Sequence, residues 1–434
     1  MTDLGISKTF SLNKEENIKA KVLNWLQQFS TFCFLDNNQY SHQERTNELL
    51  VGAGVARKFE MSGRDALPGL QKFIEGQKSW LFGHLAYGLQ TPEHPAVLSI
   101  EPSVREDKLQ FSDACFFEPE VVLRINDGGL EVLCDNPDAV FESICAASED
   151  KKSGTEINAV VQNKIDRPQY VNIIQKLQEH IHRGDCYEIN FCQEFFAENA
   201  DIDPFVLYGK LNAISPNPFS ALYRGGDKWL ICASPERFLQ KKGRQLLSQP
   251  IKGTLPRTSE PGESLAGERL ALQTNLKEKA ENVMVVDLVR NDLSRVCKQG
   301  TVKVDELFGV YSFPQVHQMI STVSGELEDD VNFENIINAT FPMGSMTGAP
   351  KIRVMQLIDQ YEKSNRGIFS GTVGYITPNE DFDFNVVIRS LMYNQATKYL
   401  SFQAGSGITI YADAEKEWDE CMVKARAIKE ILRN

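Results

Sequence analysis

Residues 250–257 read PIKGTLPR, and this stretch continues an apolar run that includes Leu246 and Leu247. The run predicts a strand, so Lys252 is expected where the strand ends and the chain turns. Prolines stiffen this segment, and Gly253 lets the backbone come close to a ligand. A lysine held in this way is a nucleophile, a counter-ion for a carboxylate or a solvated surface charge. The stretch alone leaves all three alternatives open.

The composition of the chain excludes several classes of partner. Its 434 residues are 42% hydrophobic, which is enough for a sizeable core, and its net charge is −13. Nucleic acids and anionic membranes require a basic face, so we expect neither as a partner. The N-terminus lacks the pattern of a signal peptide, and no apolar run approaches the roughly 20 residues that span a bilayer. Nine cysteines without metal-ligand spacing fit reduced thiols, so we expect a cytoplasmic protein.

Strand-like runs dominate the pattern of the chain. Predicted strands include 31–35, 81–89, 121–125, 219–223, 229–233, 246–251, 371–376, 384–393 and 399–404. Predicted helices cover 12–30, 168–183 and 268–293, and two more begin at Pro350 and after Asp413, the last ending at Arg433. The strands come in runs instead of alternating with helices, which favours an antiparallel α+β fold over a doubly wound sheet.

Two stretches predict breaks in this pattern. Residues 51–55, VGAGV, lack the third glycine of a dinucleotide fingerprint and predict a turn. Residues 147–168 are polar and small, which predicts a linker. The linker separates an N-terminal region, 1–150, from a C-terminal region, 165–434.

Two predicted helices carry paired acids. Glu278 and Glu281 are three residues apart and share one face of their helix. On the last helix, Glu417, Glu420 and Lys424 share one face beside an apolar stripe. Each helix alone is compatible with a solvated face of ion pairs, and this alternative stays open. In the functional interpretation, one glutamate from each helix meets Mg²⁺, which takes few protein carboxylates and keeps positions for water and substrate oxygens.

Other polar residues predict a site for an anionic substrate. Residues 344–351, GSMTGAPK, open a helix and place the Thr347 hydroxyl at its N-terminus, where anions bind. Residues 404–408, AGSGI, predict a glycine turn with free N–H groups. Glu236 follows a strand and suits a general acid if burial raises its pKa. Arg389 is a carboxylate clamp or an edge-strand charge. Together these residues predict Mg²⁺-dependent chemistry on a small polyanion.

These motifs together resemble the chorismate-utilising enzymes across nearly the whole chain. The matching stretches are 184–190 (GDCYEIN), 234–236 (SPE), 250–257, 278–295, 344–351, 371–375 (GTVGY), 383–389, 404–408 with the final helix and, more weakly, 80–87. The resemblance implies the fold of anthranilate synthase component I. In that fold, antiparallel sheets pack as a sandwich with helices outside, and the active site lies in a central cleft.

The resemblance also implies a metal site and a substrate pocket. Its Mg²⁺ ligands would be Glu281 and Glu420, with Glu278 and Glu417 beside them, and the ion would grip the ring carboxylate of chorismate. The residues implied to bind the substrate are Thr347, Lys424, Gly405 and Gly407 for the ring carboxylate, Tyr375 and Arg389 for the enolpyruvyl carboxylate, and also Glu188.

Three residues are implied to take part in catalysis. Glu236 would protonate the departing C4 hydroxyl, and His317 would lie near the reacting carbons. The branch that aminates C4 has a lysine at position 252, where the anthranilate branch usually has alanine. The Lys252 amine would attack C2 while the hydroxyl leaves, and ammonia would then add at C4 and expel the lysine. A purely electrostatic role for Lys252 stays open.

The resemblance therefore favours Mg²⁺-dependent amination of chorismate to 4-amino-4-deoxychorismate, for 4-aminobenzoate and folate synthesis. Glu188 stands where the isochorismate and salicylate branch has a lysine base, which counts against water as the nucleophile. Anthranilate or isochorismate formation and, from a different class, a non-catalytic ligand-binding protein are the alternatives. Ammonia would come from a separate glutamine amidotransferase subunit. Residues 34–37, FLDN, lack the leucine-leucine-glutamate-serine signature of tryptophan-inhibited relatives.

Overall fold

The computed structural model of the protein describes residues 5–12, 17–40, 47–90, 105–126, 128–149, 157–257, 263–313 and 316–433. Over these ranges the chain forms two large antiparallel sheets and ten helices, which confirms the predicted α+β class. None of the helices described is both long and apolar enough to cross a membrane.

The ten helices are separated by runs of strands along most of the chain, and the last described element is a helix. They are α1 (Ile18–Leu26), α2 (Ala66–Gly76), α3 (Pro137–Ala146), α4 (Arg167–His182), α5 (Pro204–Ile214), α6 (Glu263–Thr274), α7 (Leu276–Ser294), α8 (Phe333–Thr340), α9 (Lys351–Tyr361) and α10 (Ala414–Leu432). The predicted cap of the last helix is confirmed, because the Asp413 carboxylate accepts hydrogen bonds from the N–H groups of Glu415 and Lys416.

The strands account for most of the rest of the fold. They are β1 (Ile6–Ser11), β2 (Thr31–Asp36), β3 (Leu49–Ala53), β4 (Arg57–Met61), β5 (Leu81–Leu85), β6 (Ala114–Glu118), β7 (Val121–Asn126), β8 (Gly129–Cys134), β9 (Gln162–Asn163), β10 (Glu188–Ala197), β11 (Phe219–Gly225), β12 (Lys228–Ser234), β13 (Arg237–Lys242), β14 (Gln245–Gln249), β15 (Ile251–Pro256), β16 (Lys303–Ser312), β17 (Val316–Glu326), β18 (Gly348–Ala349), β19 (Thr372–Ile376), β20 (Phe382–Asn385), β21 (Ser390–Asn394) and β22 (Tyr399–Ile408).

The two sheets interleave strands from distant parts of the chain. The larger sheet has the order β1-β8-β7-β3-β2-β11-β12-β21-β22-β10-β18, and β9 also pairs with β10. The smaller sheet has the order β15-β17-β14-β13-β20-β19-β5-β6-β4, and β16 pairs with β17. Strands from both sides of the predicted linker pair directly, since β2 pairs with β11 and β5 with β19. Both sheets therefore contain parts of both predicted regions.

Two apolar cores hold these layers together. The first lies between the sheets and includes Leu50, Tyr223 and Leu230 from the larger sheet and Phe82, Phe116 and Phe384 from the smaller one. The second lies between the other face of the larger sheet and helices, and it includes Trp25, Tyr170, Tyr208, Phe191, Trp229 and Ala425. The larger sheet is therefore covered on both faces over much of its area.

Two sequence expectations were wrong about local structure. The predicted glycine turn at 51–55 begins inside β3, where a Cβ at Gly52 would lie 2.5 Å from the Phe82 ring of the facing sheet. Gly52 therefore serves close packing of the sheets, whereas Gly54, with a φ of 78°, lies in the bend that follows β3. The predicted helix 268–293 is two helices, α6 and α7, because the Asn275 side chain interrupts it by accepting hydrogen bonds from the N–H groups of Lys277 and Glu278.

Candidate active site

A buried ion pair links the two sheets where the sequence predicted the site. Lys252 lies in β15, the edge strand of the smaller sheet, and Glu188 begins β10 of the larger sheet. The Lys252 Nζ lies 2.6 Å from Glu188 Oε1, and the two side chains are 12% and 3% exposed. Burial acts to lower the pKa of Lys252, but the charges of Glu188 and Glu281 outweigh it and hold that pKa well above its ordinary value. The side chain is therefore an ammonium ion.

A glycine and an asparagine fix this pair in place. Gly407 lies in β22, and a Cβ there would fall 2.5 Å from Glu188 Oε1 and 2.8 Å from Lys252 Nζ. The Asn282 side chain, buried on α7, donates to the Lys252 carbonyl at 3.4 Å and accepts a hydrogen bond from the Ser321 hydroxyl at 2.6 Å. The backbone at Gly407 therefore packs against both side chains of the pair, and α7 holds the Lys252 backbone.

The glycine motif 404–408 is part of a strand and not the predicted turn. It forms the end of β22 and pairs with β10, with Gly405 opposite Cys192 and Gly407 opposite Asn190. A side chain at Gly405 would collide with the backbone of Phe191. Close approach of the two strands, and not turn geometry, explains these glycines.

The carboxyl group of Glu236 is buried between β12 and β13. Its backbone N–H donates to the Ser234 hydroxyl at 3.2 Å. Burial raises the pKa of Glu236 to about 7, although the Ser345 hydroxyl and the charges of Lys252 and Arg389 act in the opposite direction. At neutral pH this carboxyl group therefore carries a proton for a large part of the time.

Arg389 lies beside Glu236 but not in a strand as predicted. It occupies the break between β20 and β21 with a φ of 51°, a left-handed conformation, and the predicted strand 384–393 is therefore two strands. Burial lowers the pKa of Arg389 to about 10, although the charge of Glu236 acts to raise it. Among the described residues its guanidinium makes no hydrogen bond or ion pair, so its donors are available to an anion.

The predicted metal ligands form an acid cluster, which we define as Glu278 and Glu281 on α7 with Glu417 and Glu420 on α10. Burial raises the pKa of Glu281 to about 7. Burial also raises the pKa of Glu278, and the charge of Glu420 on the other helix raises it further. The two pairs of acids therefore act on each other across the gap between the helices.

The acid cluster borders the Lys252 strand. A Cβ at Gly253 would lie 3.2 Å from Glu278 Oε2. The buried Glu417 accepts a hydrogen bond of 2.5 Å from the Ser406 hydroxyl, next to Gly407. The acids and the Lys252–Glu188 pair thus lie in one site.

The acid cluster fits a hard divalent cation only with help from water or substrate. Over the described ranges, no group of three histidine, cysteine or acidic side chains is arranged to hold a metal ion by itself. Mg²⁺ accepts one or two carboxylates and fills its other positions with waters and substrate oxygens. Oxygen donors from two helices match that requirement. Burial raises the pKa values of Glu278, Glu281 and Glu417. Burial acts in the same direction at Glu420, but nearby lysines, led by Lys424, outweigh it and lower the pKa of that carboxyl group.

The remaining predicted residues take up positions that their sequence motifs did not specify. His317 lies in β17 opposite Leu255, fully buried, with its ring nitrogens 2.9 Å from the Ser312 hydroxyl and 3.1 Å from Glu268 Oε2. Both nitrogens are therefore engaged by the protein. Its role near the reacting carbons stays a prediction.

Thr347 does not lie at a helix N-terminus as predicted. The helix α9 begins at Lys351 with Pro350 as its cap, and the short strand β18 separates Thr347 from it. The Thr347 hydroxyl donates to the Met343 carbonyl at 3.1 Å, while β18 pairs Ala349 with Glu188. The Thr347 backbone is therefore tied to β10, because its carbonyl accepts a hydrogen bond from the Asn190 N–H at 2.8 Å.

Tyr375 lies in β19 and packs against aromatic rings. Its ring is 5.9 Å from that of Trp80 and 6.2 Å from that of Phe82, and it lines a cavity between the sheets with Phe219. Its role as a carboxylate ligand stays a prediction.

Sequence reasoning missed Asn282 and Lys277. Asn282 follows Glu281 directly, but no pattern indicates that it reaches the Lys252 backbone. Lys277 lies one helical turn before Glu281, and this i,i+4 spacing indicates an ion pair. Lys424, which was predicted, lies 2.8 Å from Glu420 and donates to the Gly405 carbonyl at 2.9 Å.

Comparison with known proteins identifies the family that this chain resembles. The family described as chorismate binding enzyme matches residues 4–430. Aminodeoxychorismate synthase component 1 of Salmonella typhimurium is 36% identical over 298 residues, 68% of this chain and 64% of that protein. The Escherichia coli component 1 is 38% identical over 271 residues, 62% of this chain and 59% of that protein. The chain thus covers less than two thirds of either relative.

A solved structure shares the fold. Anthranilate synthase component I from Streptococcus pneumoniae aligns with a TM-score of 0.73 and 23% identity, covering 90% of this chain and 95% of that chain. At this identity the likeness establishes the architecture alone.

Proposed function

This chain belongs to the family of chorismate binding enzymes, and we propose that it aminates chorismate at C4 to give 4-amino-4-deoxychorismate. The product would serve 4-aminobenzoate and folate synthesis. The observation that carries the proposal is the buried Lys252–Glu188 pair, which puts an amine and its proton acceptor 2.6 Å apart in the site. The names of the two relatives support the same activity.

In the first step, Lys252 passes a proton to Glu188 and becomes the free amine. Its nitrogen forms a bond to C2 of chorismate, the ring double bonds shift, and the C4–O bond breaks. Glu236, with a pKa of about 7, gives the departing hydroxyl its proton, so that water leaves. Splitting one difficult displacement into two easier ones is the benefit of this covalent route.

In the second step, ammonia adds at C4 and the C2–N bond to Lys252 breaks. The new C4 ammonium returns a proton to Glu236, and the freed lysine takes its own proton back from Glu188. All groups then regain their starting protonation states. The hydrogen bond from Asn282 and the bare backbone at Gly407 keep the Lys252 nitrogen in place through both steps.

The other charged groups would bind the two carboxylates of the substrate. Glu281 and Glu420, with Glu278 and Glu417 beside them, would hold Mg²⁺, which supplies a positive charge for the ring carboxylate. Arg389 has available donors and a position beside Glu236, which suits the enolpyruvyl carboxylate. Ammonia would come from a glutamine amidotransferase subunit, as the designation "component 1" of the relatives suggests.

A product assay tests the proposal. The purified chain is incubated with chorismate, Mg²⁺ and ammonium at mildly alkaline pH, and the products are separated and identified by mass. We expect 4-amino-4-deoxychorismate. Anthranilate as the main product would show that Lys252 does not direct amination to C4, and isochorismate would show that Glu188 activates water instead.

A further inference from the structure

We propose that Lys277 is a built-in counter-ion of the acid cluster, paired with Glu281 when no metal ion is bound, and that it must leave this position when a divalent cation binds. Lys277 therefore lowers the affinity of the site for that cation. The inference rests on the metal site in the proposed function.

The position of Lys277 brings its charge to the acids of both helices. It is the second residue of α7, and its Nζ lies 3.8 Å from Glu281 Oε1. Burial acts to lower the pKa of Lys277, but all four acids of the cluster, led by Glu281 and Glu417, outweigh it and raise the pKa. The ammonium group therefore interacts electrostatically with acids of both α7 and α10.

Movement of Lys277 requires only its side chain to move. The Asn275 side chain holds the N–H groups of Lys277 and Glu278 at 3.0 and 3.3 Å, which fixes the start of α7. The Lys277 side chain is 55% exposed, whereas that of Glu281 is 13% exposed. The ammonium group can thus turn into solvent while the carboxylate stays in the site.

Lys424 offers an instructive contrast on the other helix. It too lies one turn from a predicted ligand, with its Nζ 2.8 Å from Glu420 Oε1. Its ammonium group also donates to the Gly405 carbonyl at 2.9 Å, which ties it to β22. Within the described residues, the ammonium of Lys277 has no second contact of this kind. Lys277 is therefore the cation that can leave without breaking another bond.

Binding of a metal ion is weaker when the ion must first displace a cation that already occupies the site. Mg²⁺ must displace the Lys277 charge from Glu281 before it gains that carboxylate, so part of its binding free energy is lost to the exchange. Removal of the lysine charge should therefore tighten cation binding on the order of fivefold, because Lys277 is half exposed and such pairs are weak.

The test is a binding titration that needs no turnover. Chelator-treated protein is titrated with Mn²⁺, and free Mn²⁺ is read by electron paramagnetic resonance. Lys277→Gln should bind Mn²⁺ about fivefold more tightly than the wild type, while Lys277→Arg, which keeps the charge, should match it. The matched control is Lys279→Gln on the same helix, whose ammonium lies 4.8 Å from the Phe308 ring, and it should also match the wild type.

Each other outcome overturns the inference. Wild-type affinity, or weaker binding, in Lys277→Gln would mean that Lys277 does not compete with the cation. An equal gain in Lys279→Gln would mean that overall charge, and not Lys277, sets the affinity. If neither the wild type nor Lys277→Gln binds Mn²⁺, the metal site of the proposed function fails as well. Lys277→Met repeats the test if circular dichroism shows that the glutamine variant is unfolded.

Discussion

Lys252 Nζ lies 2.6 Å from Glu188 Oε1, and this contact joins the edge strand of the smaller sheet to β10 of the larger sheet. Both side chains are largely buried, so each charge depends on the other for compensation. The pair therefore has a structural and a chemical consequence. It ties the two sheets together, and it holds the amine as ammonium until a proton transfer to Glu188 releases it.

Replacement of Glu188 should lower the pKa of Lys252. In Glu188→Gln the largest opposing charge is gone, and burial then favours the neutral amine. Acetylation of Lys252, followed by peptide mass spectrometry across a pH series, should become half-maximal at a lower pH than in the wild type. Lys279 in the same digest is the internal reference. A Lys252 profile that does not move would contradict the charge coupling within the pair.

Replacement of Glu236 should remove the acid and stabilise the fold above neutral pH. At saturating free ammonia, wild-type kcat should fall as pH rises above about 7, because Glu236 loses its proton. Glu236→Gln should lose about 100-fold or more in kcat. An activity loss below tenfold would refute the assignment of Glu236 as the acid.

The same substitution reports on stability through linkage. The pKa of Glu236 is higher in the folded protein than the ordinary value, so wild-type stability is lost as pH rises from about 4.5 to about 7. The loss is about 1.4 kcal/mol for each unit between the two pKa values. Urea denaturation at pH 8 should therefore find Glu236→Gln more stable than the wild type. Equal stability would contradict the raised pKa.

Removal of a predicted metal ligand should weaken activation by Mg²⁺. Glu281→Gln and Glu420→Gln should each raise the Mg²⁺ concentration for half-maximal activity by about tenfold or more, because each removes a direct oxygen donor. The control is Asp287→Asn on α7, a 60% exposed carboxylate paired with Arg290 at 2.8 Å. A control that behaves like the two glutamate variants would show that net charge and not ligation is measured.

A side chain at Gly407 should separate the pair. The new Cβ of Gly407→Ala would fall 2.5 Å from Glu188 Oε1, so the pair must shift and the amine loses its position. We expect a loss of about 100-fold in kcat from such misplacement. Gly209→Ala in α5 meets open space and should leave activity unchanged. Wild-type kcat in Gly407→Ala would show that the close packing at this glycine is unnecessary.

The sequence predicted most elements whose patterns are local. The Asp413 cap follows from neighbouring residues, and α4 and α10 lie within one or two residues of their predicted bounds. The predictions failed where a distant partner decides the conformation. Gly52 lies in β3, where the Phe82 ring of the other sheet leaves no room for a side chain. No pattern in the sequence around Gly52 contains that contact.

In the site, too, local patterns were predictable from the sequence and contacts between distant residues were not. Motif spacing placed the four acids on shared helix faces, and the structure brings them toward one another. The contact between Lys252 and Glu188 joins residues 64 positions apart, and neither local period nor spacing predicts it. Arg389 was expected in a strand because its neighbours alternate in character. It lies instead in the break between β20 and β21 with a left-handed φ, which that alternation does not indicate.

The most direct test of the account asks whether Lys252 forms a bond to the substrate. The wild type is mixed with chorismate and Mg²⁺ without ammonium, quenched and digested, and the peptide that carries Lys252 is weighed. The account predicts a mass gain equal to chorismate minus water, absent in Lys252→Ala, whose kcat should fall by about 100-fold or more. The covalent route would be contradicted if the wild type formed aminodeoxychorismate while its Lys252 peptide stayed unmodified, and if Lys252→Arg kept high activity. Lys252 would then have only an electrostatic role.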